Sequence, residues 1–163
     1  ADALGAPMLE TARSSLGLSD ERTLALLFSL AEVAADLLDF ERSEALYREL
    51  IGALESKYGP DHPNPMMVRS SYGWMMRLAR RYDEAEVATR EALEGMRRVL
   101  GNEHAQTLIA VNNLAIILKD QGKLDEAEPY YLENVVTGRR VLGDRHPERL
   151  TSVISRFGLY SIV

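Results

Sequence analysis

The sequence predicts an all-α fold, a right-handed solenoid of antiparallel helix pairs with seven or eight helices and no strand. Two repeated markers lead to this prediction. The segment RRYDEAE at residues 80–86 has related copies 42 residues later, at 122–128, and 42 residues earlier, at 38–44. Glycine keeps the same spacing at Gly17, Gly59, Gly101 and Gly143. A period between about 20 and 50 residues is typical of solenoids, in which each repeat packs on the next.

Each period contains two helical stripes. In residues 101–142, helical spacing predicts a helix A from about Ala105 to Asp120 and a helix B from about Asp125 to Val141. Gly101 precedes helix A and is suited to a left-handed turn after the preceding helix. The apolar residues of this helix A are Leu108, Val111, Leu114, Ala115 and Leu118. Small residues recur where we expect helix A to touch helix B, at Ala31, Gly73 and Ala115.

The repeats organise residues 1–163 into a single array. We expect a partial helix B at residues 1–16 and a final helix A or cap at residues 143–163. Three full repeats lie between them, at residues 17–58, 59–100 and 101–142. The last segment departs from the pattern, because a solenoid end needs a polar face to stay soluble. Its apolar residues are Phe157, Leu159, Tyr160, Ile162 and Val163.

Composition narrows the function classes. The chain has 163 residues, of which 46% are hydrophobic and 27% are charged, as in an ordinary folded domain. The net charge of −6 argues against nucleic acid as a partner. No run of about 18 apolar residues is present, so we expect no membrane span. The chain has no cysteine, which is compatible with the cytoplasmic location that we expect.

The candidate catalytic groups are copies of one another rather than a converging set. His62, His104 and His146 share one repeat position, with Asp20 in the first copy. Neighbouring helices pack about 8–10 Å apart, so copies in successive repeats cannot share one metal ion. We expect each histidine to cap helix A or to form a hydrogen bond before it. The acids of helix B also recur and no cofactor motif is present, so the sequence predicts no enzyme, no metal and no cofactor.

Arginine pairs lie at the end of two helices B, at residues 97–98 and 139–140. One interpretation is that they complement the helix dipole on a solvated face, an effect of about 0.3–1 kcal/mol each. The other is that they form a basic strip for an acidic partner. The sequence leaves both interpretations open.

The pattern resembles a known repeat family. The small residues at Ala85 and Ala127 and the pair Leu114-Ala115 match tetratricopeptide-repeat positions. The 42-residue length is similar to the repeats of kinesin light chains, and the matching segments are residues 58–63 (YGPDHP), 142–147 (LGDRHP) and 112–115 (NNLA). This resemblance implies that helices A line a concave face and that peptides bind there. It also implies that the amide of Asn112 points inward, toward a peptide backbone.

The candidate binding residues are those opposite the face of helix A that packs on helix B. Apolar anchors with scattered polar groups are what a peptide groove needs. Trp74 is the proposed anchor, although it also fits a place between neighbouring helices A. The full set is Phe28, Glu32, Met67, Ser70, Trp74, Arg77, Ile109, Asn112, Ile116 and Lys119.

The sequence therefore predicts a protein- or peptide-binding scaffold, as a piece of a larger signalling protein. The expected ligand is a peptide with an apolar side chain flanked by an acid. The alternative is a structural module that self-associates through its apolar ends, above all the C-terminal end. No sustained heptad is present, so the sequence does not support a connection to a motor heavy chain.

Overall fold

The computed structural model describes the backbone of residues 2–142 and the side chains of residues 5–140. This part of the chain forms seven helices and no strand, so the predicted all-α solenoid is confirmed. The expected final helix A or cap, at residues 143–163, lies outside the described residues. The helices are α1 (Asp2–Leu16), α2 (Glu21–Asp36), α3 (Phe40–Tyr58), α4 (Pro63–Leu78), α5 (Tyr82–Leu100), α6 (Ala105–Asp120) and α7 (Leu124–Leu142).

Two kinds of helix alternate along the chain. The A helices α2, α4 and α6 have 16 residues each, and the B helices α3, α5 and α7 have 19. Every helix packs against the helices before and after it in the chain. Successive A helices also approach each other within 8 Å between Cα atoms, whereas successive B helices in the described part of the chain are more widely separated. The two faces of the array therefore differ in how closely they are packed.

One side-chain acceptor begins each A helix. The Nδ1 atoms of His62 and His104 accept hydrogen bonds from the backbone N–H groups two residues later, both at 3.2 Å. Asp20 does the same in the first repeat through its carboxylate, at 2.9 Å. These bonds satisfy backbone donors that have no partner inside the helix. The prediction that the periodic histidines cap helix A is confirmed for these two, and His146 lies outside the described residues.

Each A helix ends in a Schellman motif. Leu38, Arg80 and Gly122 hold its left-handed position, with φ angles of 61°, 60° and 79°. The next residue donates its N–H to a carbonyl five residues earlier, as Arg81 does to Met76 at 2.9 Å. These bonds turn the chain sharply from an A helix into the following B helix.

Glycine follows the last residue of α1, α3 and α5. Gly17, Gly59 and Gly101 have φ angles of 85°, 88° and 86°. The positive φ agrees with the prediction for Gly101, but its ψ of 167° places it outside the left-handed helical region. This extended conformation with positive φ is essentially restricted to glycine. Position 101 therefore requires glycine more strictly than a position in the left-handed helical region would.

Small residues set the distance between the A and B helices. Ala31, Gly73 and Ala115 are all buried, as the repeat pattern predicts. A Cβ atom at Gly73 would collide with the hydroxyl of Thr89 and lie 3.1 Å from the carbonyl oxygen of Ala85, both on α5. The two backbones approach closely at this point because no side chain stands between them.

The conformation of Gly101 leads to a stability prediction with an internal control. Gly101→Ala lowers the free energy of unfolding by about 1–3 kcal/mol, because alanine is strained at this φ and ψ. Apart from the two neighbouring residues, no atom in the described part of the chain lies within 4 Å of the added Cβ, so the cost is a backbone effect. Gly52→Ala, in the exposed interior of α3, raises the free energy of unfolding by about 0.5–1 kcal/mol instead. Urea denaturation of both variants measures the two changes, and equal effects would contradict the assignment.

Candidate functional site

An apolar cavity of about 450 Å³ opens between the three A helices. We call it the A-helix groove. Among the described residues that line it, none carries a charge. They are Leu24, Phe28, Leu50, Leu54, Asn64, Met67, Val68, Ser70, Ser71, Met96, Gln106, Ile109 and Asn113. The B helices α3 and α5 contribute only Leu50, Leu54 and Met96, so the A helices form most of the wall.

Packing beneath the groove holds its apolar side chains in place. The ring of Phe28 meets the ring of Tyr47 edge-on, with centroids 6.2 Å apart. The hydroxyl of Tyr47 donates a hydrogen bond to Glu32 at 2.6 Å. Burial and the nearby carboxylate raise the pKa of Tyr47, so this hydroxyl stays protonated and keeps donating. Ile109, by contrast, leaves 52% of its surface exposed to solvent at the wall of the groove.

Amide side chains provide the polar part of the groove. Asn64 and Gln106 occupy the same position of α4 and α6, in the first turn after the capping histidine. Asn113 lies about two turns further along α6, and its side-chain N–H group donates to the hydroxyl of Ser70 at 3.3 Å. Amides both donate and accept hydrogen bonds, so they match the groups of a peptide backbone.

The predicted binding residues divide into three groups. Four of them line the A-helix groove, namely Phe28, Met67, Ser70 and Ile109. Glu32 and Trp74 line a smaller adjoining cavity of about 100 Å³, which shares Ser71 with the groove. The other predicted residues, Arg77, Asn112, Ile116 and Lys119, line neither cavity.

Trp74 and Arg77 form a compact unit with Asp120. Trp74 is partly buried against the core of α6. The guanidinium of Arg77 lies 4.4 Å from the centroid of the Trp74 ring, and its Nε is 2.7 Å from the Asp120 carboxylate. The positive charge that the sequence suggested for an acidic ligand is therefore already balanced within the protein.

The sequence analysis missed two residues that line the groove, each of which directly follows a predicted residue in the chain. Asn113 lines the groove whereas Asn112 is half-buried outside it, and Ile116 is buried in the core around α6. Ser71 occupies the same repeat position as Asn113, and both line the groove. Polarity alone does not single out this position, because Ser70 and Asn112 also form a polar pair at one repeat position and Ser70 is buried.

The arginines at the ends of the B helices form ion pairs. Arg97 lies 2.5 Å from Glu133, Arg98 pairs with Asp61, and Arg140 pairs with Glu103. These three arginines thus have acidic partners within the chain. Of the two interpretations of the arginine pairs, the ion pairs weigh against a basic strip for an acidic partner. None of the described helices is long and apolar enough to span a membrane.

Comparison with protein families identifies the repeats. Two models, both described as tetratricopeptide repeat, match residues 22–98 and 107–148. Together they cover nearly three quarters of the chain. A comparison with curated proteins finds no match.

Solved structures with the same fold include BtubC (BKLC) from P. vanneervenii. It has a TM-score of 0.78 and 24% sequence identity over 96% of this chain and 63% of that one. Two crystal structures of a P. anserina putative kinesin light chain with nearly identical TPR-like repeats give TM-scores of 0.75 and 0.74. Their identities are 14% and 15%, over 86% and 88% of this chain and 66% and 67% of theirs. The chain thus spans about two thirds of the length of these proteins, and the likeness establishes the fold.

The Trp74 unit leads to a fluorescence prediction. Acrylamide quenches Trp74, the only tryptophan, less than it quenches the unfolded chain, because Arg77 and α6 cover much of the ring. Asp120→Asn increases this quenching, since Arg77 loses the carboxylate that holds it over the ring. Glu103→Gln, which removes the partner of Arg140 far from Trp74, is the control and leaves quenching unchanged. Equal quenching in all three proteins would contradict the arrangement.

Proposed function

The chain belongs to the tetratricopeptide-repeat family, and from this premise we propose that it is a scaffold that binds a peptide segment of a partner protein in the A-helix groove. Repeats of this family generally mediate protein–protein interactions, and arrays of this kind are typically not catalysts. The observation that carries the proposal is an open, uncharged cavity of about 450 Å³ shared by three successive A helices. We place this interaction in the cytoplasm, as the cysteine-free composition suggests.

An apolar side chain of the partner is the central contact that we propose. Phe28, Met67 and Ile109 come from three different A helices and meet around the cavity. Its volume falls within the range of about 300–1,000 Å³ that is typical of ligand pockets. Full burial of a leucine or phenylalanine side chain contributes roughly 1.5–3 kcal/mol. One such anchor therefore gives a meaningful share of a micromolar affinity, which corresponds to about −8 kcal/mol.

Hydrogen bonds to the peptide backbone complete this contact. Asn64, Gln106 and Asn113 surround the apolar centre with amides. Asn112 lies beside Asn113 and is the amide that the family resemblance favours, so we include it in the proposed site. Polar groups around an apolar anchor fix the direction of a peptide without requiring a charged ligand.

We extend the proposed site from the cavity toward the turns that follow the A helices. This extension takes in the predicted residues that lie beyond the cavity, which are Glu32, Trp74, Arg77, Lys119 and the buried Ile116. Trp74 is the proposed second anchor, and an acidic flank of the ligand would meet Arg77. Because Asp120 already balances the charge of Arg77, an acid on the ligand has to compete with that carboxylate. The apolar anchor therefore ranks before the acidic flank in this proposal.

Exposed apolar residues at both ends of the described array favour self-association as a second candidate function. Met8 on α1 and both Leu132 and Val136 on α7 have exposed side chains. If this candidate is correct, light scattering after size exclusion shows a mass that rises with protein concentration. A monomer at all concentrations would exclude it and leave the peptide-binding proposal intact.

The groove proposal predicts a selective loss of binding in Ile109→Asp. Peptides selected from a displayed random library against the protein supply the ligand. Ile109→Asp weakens their affinity by at least about tenfold, because a carboxylate replaces an apolar contact, as at an interface hot spot worth about 2 kcal/mol or more. Fluorescence anisotropy of labelled peptides measures the affinities.

The matched control is Val99→Asp. Val99 is a comparably exposed aliphatic residue near the end of α5, at 45%, and lines neither the A-helix groove nor the other cavities described. We expect both variants to keep the melting temperature within a few degrees and only Ile109→Asp to lose peptide affinity. Selection of no peptide, or an equal loss in both variants, would refute the proposed groove.

A further inference from the structure

A second opening lies on the other face of the array, between the B helices α3 and α5. We call it the B-helix cleft, and its volume is about 600 Å³. The side chains of α4 form its floor. The lining residues are Arg48, Ile51, Gly52, Glu55, Arg69, Tyr72, Asp83, Glu84, Val87, Ala88 and Glu91. Four of them are acids and two are arginines. Glu84 is balanced by Arg81, which does not line the cleft, so the excess of negative charge lies at Glu55 and Glu91, which share one arginine.

The next gap along the array, between α5 and α7, is closed by side chains. Arg97 of α5 reaches Glu133 of α7 at 2.5 Å. Arg90 lies 3.1 Å from Glu126 and donates to the hydroxyl of Tyr130 at 2.9 Å. The Tyr130 ring centroid lies 5.8 Å and 6.0 Å from the guanidinium carbons of Arg90 and Arg97. An aromatic ring and two arginines therefore fill the space between these two B helices.

The gap before the cleft, between α1 and α3, contains the same arginine contact. The Nε of Arg13 donates to Glu49 at 2.9 Å. Arg13 and Arg97 occupy one repeat position, 84 residues apart, and Glu49 and Glu133 occupy another. Contacts between an arginine and a glutamate thus bridge the B helices on both sides of the cleft.

The cleft lacks two of these closing groups. Glu55 occupies the repeat position of Arg13 and Arg97, and it stands opposite another acid, Glu91. Ala88 occupies the position of Tyr130, so the ring is missing as well.

One arginine of α4 stands between the two acids. Arg69 pairs with Glu55 and lies 3.3 Å from Glu91, at the floor of the cleft. Arg13 and Arg90 in the flanking gaps also contact two carboxylates each, but one of the two lies on the arginine's own helix, whereas the two partners of Arg69 lie on different B helices.

The walls of the cleft suit the stem of a long cationic side chain. Ile51 and Val87 are apolar, and Val87 is exposed. Arg48 pairs with Glu44 on its own helix at 2.7 Å, as Arg90 pairs with Glu86, and its charge also acts on Glu84 of α5. An arginine side chain combines an aliphatic stem with a planar guanidinium that binds carboxylates through two hydrogen bonds.

We propose that the B-helix cleft is a second docking site, which receives an arginine side chain of a partner protein. The guanidinium lies against Glu91 and beside Glu55, and its stem covers Val87 and Ala88. The incoming arginine thereby supplies the contact that Arg13 and Arg97 make within the chain in the flanking gaps. This site is independent of the A-helix groove and of its peptide.

The probe is N-acetyl-arginine methylamide, and the uncharged control is N-acetyl-citrulline methylamide, which has almost the same shape. Both are titrated into the ¹⁵N-labelled full chain and followed by amide chemical shifts. We expect saturable shifts around Gly52 and Ala88 with the arginine probe only. The amides around Tyr130, in the closed gap, should remain unchanged.

Three variants test the geometry. Ala88→Tyr places a ring where Tyr130 closes the next gap, and it abolishes the shifts. Glu91→Gln lowers the affinity for the arginine probe by roughly two- to fivefold, which is the effect of losing a partly exposed ion pair. Glu94→Gln, an exposed acid on the same helix that does not line the cleft, leaves the affinity unchanged. Because Glu91 is exposed, its variant remains informative if Ala88→Tyr fails to fold.

The proposal is overturned by equal shifts with the citrulline probe or by no saturable shift up to the solubility limit of the arginine probe. It is equally overturned if Glu94→Gln weakens binding as much as Glu91→Gln, because the attraction would then come from the general negative charge. Loss of peptide binding in Ile109→Asp with unchanged arginine shifts would separate the two sites experimentally.

Discussion

The close approach of each A helix to its B helix is the constraint on which the rest of the structure depends. At Gly73 the side chain of Thr89 occupies the space where a Cβ would stand. Ala31 and Ala115 keep the same contact narrow in the neighbouring repeats, and the hydroxyl of Ser43 donates to the Ala31 carbonyl at 2.8 Å. A bulkier residue there would separate the helices and expose the core. The distance between the A helix and its B helix is therefore set in the same way in all three repeats. As a result the A helices align, and a groove can form between them.

The repeat-to-repeat differences, rather than the shared positions, give the molecule its distinct surfaces. Shared positions are occupied by caps, turns and core residues, which every repeat needs in order to fold. Ala88 occupies the repeat position of Tyr130, and Glu55 occupies that of Arg97. The gap between α3 and α5 is therefore open, as the B-helix cleft. Where Tyr47 and Tyr131 are replaced by Thr89, Gly73 can approach α5 closely. The departures from the period are therefore the positions that can distinguish one partner from another.

The fold was predictable from the sequence because burial and backbone conformation repeat with the period. The predicted bounds of α6, Ala105 to Asp120, agree with the structure, and so does the buried position of Ala115. The residues that line the groove were less predictable. An error of one residue along a helix turns the predicted face by about 100° around the helix axis. Asn113 lines the cavity for this reason, whereas Asn112 does not. The pairing of Arg77 with Asp120 depends on side-chain rotamers in two repeats, which periodicity does not specify.

The exchange of aspartate for histidine at the start of the A helices bears on how such repeats are recognised in other sequences. Asp20, His62 and His104 accept the same backbone hydrogen bond through different chemical groups. What the position requires is an acceptor atom at a given distance from the second helical N–H group. A search pattern that demands histidine overlooks the first repeat, whereas one that allows any short acceptor side chain finds all three. Distant members of the family are therefore better detected by the hydrogen bond that a position must make than by the residue that makes it.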